Sequence, residues 1–224
     1  MFHVKQEMTL ERLFVFLQDQ DMALSEIQKE RVWRYYELLR RWAAKQNLLS
    51  KKDSGHIIER HFVPSFYYAY RLKQSGFSGR RLLDLGSGAG FPGILLSIYF
   101  EDSPCVLLEA SRKKSLFLRR VTRELGLKAM VWQKRAEQLS LSEEERFPVV
   151  VARAVAPMPE LIRLSAFLIQ KQGVLYSLKG EGYLREYTQG KRNAVSSLKE
   201  LPIPGEWLDF SNYLKGKTLL RLEF

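Results

Sequence analysis

The sequence predicts an α/β protein in which a doubly wound, mostly parallel sheet follows a helical N-terminal extension. Two observations predict this fold. From Arg81 onward, short apolar runs alternate with amphipathic runs of helical period, the order found in a sheet with helices on both faces. Before that point the apolar residues recur at helical spacing alone. We therefore expect a helical segment over residues 1–75, packed on an α/β core over residues 76–224.

Three helices are predicted in the N-terminal segment. Ser25 and Gln28 form a capping-box pattern that opens the second helix. The third covers Ile57 to Ala69, and Pro64 is expected to kink it or end part of it. The first is indicated by apolar residues at helical spacing, namely Leu10, Leu13, Phe14 and Leu17.

The core is predicted to contain a seven-stranded sheet. Five strands are expected at Arg81–Leu85, Cys105–Glu109, Ala129–Gln133, Val149–Ala152 and Val174–Leu178. The helices are expected at Gly93–Phe100, Arg112–Leu125, Pro159–Ile169 and Gly182–Ser197, before a terminal strand pair of Trp207–Tyr213 and Thr218–Leu222. Ligands of such sheets bind beyond the carboxyl ends of the strands, so the residues that follow each strand are the first to inspect.

Composition limits the class of protein. The single cysteine, Cys105, excludes a disulfide framework and fits a reducing cytoplasm. We also expect the protein to act as a monomer. The sequence has no long uncharged apolar stretch, so we expect no membrane span. The net charge of +11 favours a polyanionic partner such as nucleic acid, although basic surface faces alone would also produce it.

A glycine loop follows the first predicted strand. The run Leu82–Gly93 begins as an apolar strand, breaks into small residues and restarts as a helix, which lets a ligand approach bare backbone. A dinucleotide fingerprint would need a glycine where Phe91 stands. The pattern D-x-G-x-G-x-G instead resembles the cofactor loop of class I S-adenosylmethionine methyltransferases. Its members are Asp84, Gly86, Gly88 and Gly90.

An acid closes each of the first two strands. Asp84 could hold the ammonium group of the cofactor, directly or through water, or could cap the loop or the next helix. Glu109 follows Gly90 by 19 residues, the spacing of an acid that accepts the ribose hydroxyls of an adenosine. It could instead cap the helix that begins near Arg112, but Ser111 can serve that need, so the ribose role is favoured.

The later strand ends suggest an adenine border and a methyl acceptor. Ala136 and Glu137 suit the edge of an adenine ring, although an ordinary surface turn would also explain them. Arg153 follows the fourth strand, where amine methyltransferases carry an Asn/Asp-Pro-Pro-Tyr-like motif. That motif is missing, which argues for an acceptor that needs no deprotonation, such as guanine N7. Lys179, after the fifth strand, is expected to add a second cation at the same mouth.

Asn47, Arg60 and His61 are the polar candidates of the helical segment. We expect Asn47 and His61 to help seat a base, although a lone histidine on an apolar helix face is more often structural. Three scattered histidines and one cysteine do not make a zinc site, and the sequence has no P-loop and no Gly-x-Ser-x-Gly elbow. The basic patches suit a phosphate-tracking surface and lie at Lys51-Lys52, Arg112–Lys114, Arg119-Arg120 and Lys191-Arg192.

Together these motifs resemble the RsmG (GidB) family of bacterial 16S rRNA guanine-N7 methyltransferases. The shared residues span nearly the whole chain in family order: Asn47-Leu48, Arg60-His61, Asp84–Ile94, Lys113-Lys114, Arg135–Glu137, Ala152–Ala156 and Leu178–Gly180. The resemblance implies the class I methyltransferase fold, S-adenosylmethionine as cofactor, and a guanine near the decoding centre of the small subunit as target. It also implies cofactor contacts from Gly86, Phe91, Glu109, Ala110, Ser111, Ala136, Glu137 and Arg153.

Two departures from the family pattern restrict what can be transferred. Pro64 stands where family members usually carry Asp, and Leu49 stands where they carry Thr, so the roles of that Asp and Thr have no counterpart in this chain. Two other functions stay open. The chain could methylate a small molecule or a protein, or it could bind cofactor and RNA without activity.

Overall fold

The computed structural model describes residues 8–46, 48–189 and 194–224, and its elements alternate as the sequence predicts. The helices are α1 Leu10–Asp19, α2 Glu26–Gln46, α3 Lys51–Ser54, α4 Val63–Gln74, α5 Gly93–Tyr99, α6 Arg112–Glu124, α7 Met158–Ala166, α8 Tyr183–Gln189 and α9 Gly205–Phe210. The strands are β1 Leu82–Leu85, β2 Cys105–Leu108, β3 Ala129–Trp132, β4 Phe147–Arg153, β5 Ile169–Gly180, β6 Ser197–Leu201 and β7 Lys217–Glu223.

The seven strands form one sheet in the order β3-β2-β1-β4-β5-β7-β6. Strands β1 to β5 are parallel, whereas β7 runs antiparallel to both β5 and β6. The strand order reverses between β1 and β4, where Leu85 pairs with Ala152. The predicted mostly parallel, seven-stranded fold is therefore confirmed, and its switch point lies at the glycine loop and Arg153.

The N-terminal helices and the sheet share one buried core. Every residue of β1 and of β2 is buried, as expected for central parallel strands covered on both faces. On one face, Leu13 of α1, Tyr35 of α2 and Phe66 of α4 pack in the same cluster as α5 and α6. On the other face, α7 and Tyr183 of α8 pack against a second cluster. Each fully buried leucine or phenylalanine contributes about 1.5–3 kcal/mol.

The predicted terminal strand pair is wrong in its first member. Residues of Trp207–Tyr213 form α9 and a short 3-10 helix, and the outer partner of β7 is β6, which starts at the end of the predicted helix Gly182–Ser197. Trp207 is fully buried against Tyr67 and Phe16, so it faces inward from a helix. Strand β6 lies at the edge of the sheet, where half-exposed residues give little alternation to detect.

Two helix ends also differ from the prediction. Helix α8 extends to Gln189, before residues 190–193, which lie outside the described residues. The predicted helix Pro159–Ile169 ends at Ala166, and Ile169 already belongs to β5. Among the described helices, none combines the length and apolar character needed to cross a bilayer.

Pro64 marks an irregularity in the third predicted helix. Residues Ile58–Phe62 form a π-helix, and Pro64 lies in the first turn of α4, directly after it. Proline has no N–H, so its presence in a continuous helical run removes a backbone donor. The expected kink therefore takes the form of a change in helix type, and Arg60 and His61 lie within that stretch.

Candidate functional site

The glycine loop is held tightly by its neighbours. Gly86 and Ser87 both donate their N–H groups to the carbonyl of Leu108, over 2.9 and 3.0 Å. Gly90 has a φ of +108°, and a Cβ there would lie 2.5 Å from Cγ1 of Ile94. That conformation and that closeness both require glycine. The Tyr35 hydroxyl donates to the carbonyl of Ala89 at 2.8 Å, which fixes the loop from below.

Asp84 lies beneath the loop. Its side chain is fully buried, and Oδ2 accepts the N–H of Gly93 at 3.0 Å, at the start of α5. Burial raises the pKa of Asp84 to about 7. Oδ1 is buried and has no hydrogen-bond partner within residues 8–46, 48–189 and 194–224. The geometry is that of the helix-capping alternative, and the contact with a cofactor ammonium stays a prediction.

Glu109 connects the loop to the end of β2. Its carboxylate accepts the N–H of Gly88 at 2.8 Å through Oε2 and the N–H of Ser111 at 2.7 Å through Oε1. The side chain of Ser111 makes no capping bond, so the capping of α6 expected from Ser111 is not seen. Each carboxylate oxygen has two lone pairs, and one on each remains available to a further donor such as a ribose hydroxyl.

Arg153, His61 and Phe91 form one cluster at the carboxyl end of β4. The His61 ring stacks on Phe91, with centroids 4.7 Å apart and an interplanar angle of 18°. Nη2 of Arg153 donates to Nδ1 of His61 at 3.1 Å and to the carbonyl of Arg60. The Tyr213 hydroxyl lies 3.4 Å from the same Nη2. The structure therefore brings together two of the predicted catalytic residues, Arg153 and His61.

The cluster leaves two hydrogen-bond donors without partners. A guanidinium has no acceptor, so Nδ1 of His61 accepts from Arg153 and the ring proton lies on Nε2. Burial, reinforced by the charge of Arg153, lowers the pKa of His61 to about 3, which keeps the ring neutral at physiological pH. Nε2 of His61 and Nη1 of Arg153 are both buried and have no hydrogen-bond partner among the described residues. Such donors are costly unless a ligand supplies an acceptor.

A cleft of about 250 Å³ runs beside this cluster. Its wall includes the predicted residues Gly86, Gly88, Phe91, His61 and Arg153. Its other side is formed by Leu48, Ser50, Asp53 and Lys114, of which the sequence singled out Leu48 and Lys114 but not Asp53. Asp53 is the carboxylate of this wall and is bound to the Arg60 guanidinium at 2.9 Å and to the Ser50 hydroxyl at 2.6 Å.

Lys179 has a different neighbourhood from the one predicted. Its ammonium donates to the carbonyl of Ala156 at 2.7 Å and lies 3.8 Å from the Glu186 carboxylate of α8. Burial lowers the pKa of Lys179. It is not among the residues that line the cleft. The prediction of a second cation at the same mouth is not supported by these contacts, which tie the β4–α7 loop to α8.

The remaining predicted residues either do not line the cleft or lie outside the described part of the chain. Ala110 and Glu137 are exposed, Ser111 and Ala136 are half-buried, and none of the four lines the cleft. Asn47 and the Lys191-Arg192 pair lie outside the described residues. In the described part of the chain, no group of three His, Cys, Asp or Glu side chains is arranged to hold a metal ion.

Three tyrosines of the site were missed by the sequence reasoning. Tyr35 contacts the glycine loop, and Tyr213 contacts Arg153. The Tyr68 hydroxyl donates to the carbonyl of Ala152 at 2.8 Å and accepts the N–H of Leu178 at 2.6 Å. Tyr35 and Tyr68 are fully buried, and a buried tyrosine needs a partner for its hydroxyl. That need was the available signal, but the partner is set by the tertiary structure.

Comparison with known proteins shows the family. A sequence model of the family described as rRNA small subunit methyltransferase G (GidB) matches residues 28–206. The ribosomal RNA small subunit methyltransferase G of Syntrophus aciditrophicus is 36% identical over 170 residues, covering 74% of this chain and 69% of that protein. The protein of the same name from Halorhodospira halophila is 35% identical over 189 residues, covering 84% and 87%.

Solved structures agree on the fold. The T. thermophilus 16S rRNA N2 G1207 methyltransferase (RsmC), in complex with AdoMet and guanosine, superposes with a TM-score of 0.52 at 19% identity. The match covers 72% of this chain and 41% of that one. The tRNA (m1A58) methyltransferase TrmI of Aquifex aeolicus gives 0.53 at 12% identity, covering 72% and 68%. At these identities the likeness concerns the fold alone.

Proposed function

Because the chain belongs to the rRNA small subunit methyltransferase G family, we propose that it transfers a methyl group from S-adenosylmethionine to N7 of a guanine in 16S rRNA. The observation that carries the choice of acceptor atom is the composition of the cleft wall. Two buried donors, on His61 and Arg153, face no partner there. The wall's carboxylate, Asp53, is already bound to Arg60.

The residues present fit the cofactor. Gly86 and Gly88 expose backbone at the cleft, with φ values of +69° and +58°. Glu109 keeps a free lone pair on each carboxylate oxygen for the ribose hydroxyls, and the buried, unpartnered Oδ1 of Asp84 lies below the loop. When bound, S-adenosylmethionine supplies an electrophilic methyl group on its sulfonium. Ala110, Ser111, Ala136 and Glu137 border the adenine in this proposal.

Guanine N7 suits a site made of donors. Its lone pair is available in the neutral base, so the enzyme needs no general base and works by orientation and exclusion of water. The unpartnered donors of Arg153 and His61 match the acceptor O6 of guanine or a phosphate oxygen, which orients the base and leaves N7 free. A neutral His61 adds no further charge beside the methylated guanine, which becomes cationic.

The substrate in this proposal is 16S rRNA or a 30S particle, including an assembly intermediate. The net charge of +11 supports a polyanionic partner. The target is a guanine near the decoding centre, and the enzyme acts as a cytoplasmic monomer. The names of the relatives support a small-subunit rRNA substrate.

One experiment separates the three candidate functions. The protein is incubated with methyl-labelled S-adenosylmethionine and either 30S subunits that lack the modification, naked 16S rRNA, or a non-RNA extract. Label in RNA, located by borohydride–aniline cleavage at an N7-methylguanine, supports the proposal. Label only in the non-RNA extract supports a small-molecule or protein methyltransferase. Cofactor binding without label transfer supports an inactive RNA-binding protein.

Arg153→Gln is the accompanying variant, with Lys171→Gln as its control. Arg153 lines the cleft, whereas Lys171 is exposed near the start of β5. We expect the first to lose most of the transfer and the second to keep it. Equal activity of the two variants would remove Arg153 from the proposed site.

A further inference from the structure

A second cleft lies at the edge of the sheet, beyond β3. Its volume is about 460 Å³, larger than that of the cleft beside the glycine loop, and the two share no lining residue. It is bounded by α6, by the C-terminal half of β3 and by the connection that leads from β3 towards β4. None of the residues proposed to contact the cofactor lines this cleft, and neither do Arg153, His61 and Phe91.

The chemistry of this edge cleft suits a nucleotide. Arg119 and Lys134 are exposed, and neither side chain has an ion pair or hydrogen bond in the described part of the chain. Trp132 is half-buried and lines the cleft, and its ring makes an edge contact with Phe147, with centroids 5.8 Å apart. Gln133 adds an exposed amide. Free cations beside an aromatic ring are the combination that binds the phosphates and bases of single-stranded nucleic acid.

One carboxylate lies in the wall of the edge cleft and opposes an anion there. Glu145 is the acidic residue of this cleft, and its Oε2 accepts the N–H of Ser142 at 2.8 Å. The bonds from Ser142, together with the nearby charge of Arg81, lower the pKa of Glu145. Glu145 is therefore negatively charged at neutral pH, and the cleft is net positive only because Arg119 and Lys134 outnumber it.

The position of the cleft relates it to the methyl-transfer site. Leu85, at the end of β1, pairs with Leu108, and Leu108 pairs with Trp132. Neighbouring strands lie about 4.8 Å apart, so the end of β3 lies about 10 Å from the end of β1, at the same carboxyl edge. Gln133 and Lys134 lie at the end of the cleft on this carboxyl edge, and Glu145 lies at its other end. A strand of RNA with its guanine beside the glycine loop would reach the Gln133–Lys134 end within a few nucleotides.

We propose that the edge cleft binds the single-stranded RNA that flanks the target guanine, with Arg119 and Lys134 on phosphates and Trp132 beneath a base. This inference rests on the proposed function. A protein segment pairing with the edge of β3 is the competing occupant. The two free cations and the net charge of +11 favour RNA over a polypeptide.

The test compares two double variants of the full chain. Arg119→Gln with Lys134→Gln removes the cations of the cleft, whereas Lys171→Gln with Lys199→Gln removes two exposed cations from β5 and β6. Binding of unmodified 16S rRNA is measured across a salt series. We expect the first variant to lower the slope of log affinity against log salt by about 1.4, or about 0.7 per phosphate. We expect the control variant to have the same salt slope as the wild-type protein. Both double variants should keep the cofactor affinity of the wild-type protein.

A photo-crosslinker at Gln133 then identifies the occupant on 30S particles. Crosslinks to 16S rRNA support the proposal. Crosslinks to ribosomal protein alone, or equal salt slopes for the two double variants, overturn it. If the wild-type enzyme methylates 30S particles but the two double variants have equal salt slopes, only the inference about the edge cleft is refuted. If the wild-type enzyme transfers no label to RNA, the proposed function itself is refuted.

Discussion

Arg153 is held from three sides before any substrate arrives. Its Nη2 contacts the Arg60 carbonyl, the His61 ring and the Tyr213 hydroxyl, and its guanidinium carbon lies 5.8 Å from the centre of the Tyr213 ring. A long side chain fixed in this way loses little further entropy on binding. The unpartnered Nη1 is therefore a preorganised donor rather than a mobile one.

Tyr213 is expected to position Arg153. Tyr213→Phe keeps the ring and loses the hydroxyl contact, so we expect kcat on 30S particles to fall about fivefold, equivalent to about 1 kcal/mol. Tyr213→Ala also loses the cation–π contact, so we expect its kcat to fall further. Cofactor affinity, measured by calorimetry, should not change in either variant. A matching loss of cofactor affinity would indicate a general distortion instead.

His61 is expected to make the protein sensitive to acid. Its pKa is about 3 in the folded protein, against 6.5 for an imidazole free in water. Between these values the unfolded chain binds a proton that the native state does not, so stability is full above 6.5 and is lost as the pH falls. Asp84, with a pKa raised to about 7 by burial, acts in the opposite direction as the pH rises.

His61→Asn isolates the first effect. We expect the free energy of unfolding of the unmodified protein to fall faster below pH 6.5 than that of the variant, by up to about 1.4 kcal/mol per pH unit. Urea unfolding between about pH 4.5 and 7.5 measures it, with the exposed His56→Asn as control. If the free energy of unfolding depends on pH in the same way for the wild-type protein and for His61→Asn, the assignment of a neutral ring to His61 is contradicted.

At the scale of elements, the π-helix is coupled to the site through one backbone carbonyl. Arg60 lies four residues before Pro64, so a regular α-helix would give its carbonyl no N–H donor from that position. That carbonyl accepts Nη2 of Arg153 instead. Pro64 thus leaves this carbonyl as an acceptor for the arginine of the cleft.

Pro64→Ala tests this coupling. Alanine supplies an N–H that competes for the Arg60 carbonyl, so we expect kcat to fall several-fold while cofactor affinity is kept. Pro204→Ala, before α9 and away from the cleft, is the control. Unchanged methyl transfer by the Pro64 variant would show that Arg153 does not depend on this acceptor.

At the scale of the whole molecule, the helical segment and the sheet are one packed unit. Tyr68 of α4 joins the carbonyl of Ala152 in β4 to the N–H of Leu178 in β5, the strands that lead to Arg153 and Lys179. Trp207 of α9 contacts Tyr67 of α4 and Phe16 of α1. A segment with such contacts should not unfold separately.

We expect one cooperative transition for the whole chain. Tryptophan fluorescence and far-UV circular dichroism should give coincident urea curves. Tyr68→Phe should shift the two unfolding curves by the same amount. The free energy of unfolding should fall by about 1–3 kcal/mol, because the variant leaves a buried N–H and a buried carbonyl without their partner. Two separate transitions would show that the helical segment and the α/β core are independent domains.

The sequence by itself determined the features that depend on local pattern. The order of strands and helices along the core follows from alternating apolar runs. The glycine loop follows from its glycines, since a φ of +108° at Gly90 favours glycine. Glu109 was placed at the end of the second strand, where its carboxylate accepts the N–H of Gly88. The same local reasoning failed where partners lie far apart. It made a strand of α9 and missed β6. It also did not foresee the hydrogen bond from Lys179 to the carbonyl of Ala156.

The tertiary structure alone decided how the site is completed. Tyr35, Tyr68 and Tyr213 contact the loop, the strand ends and Arg153 from elements 54 to 110 residues away in sequence. No local pattern encodes such contacts, because a hydroxyl's partner is set by which elements pack together. The edge cleft beyond β3 has the same origin, since its two cations come from α6 and from the residues after β3. Periodicity specifies elements, whereas burial and hydrogen bonding between distant elements specify the site.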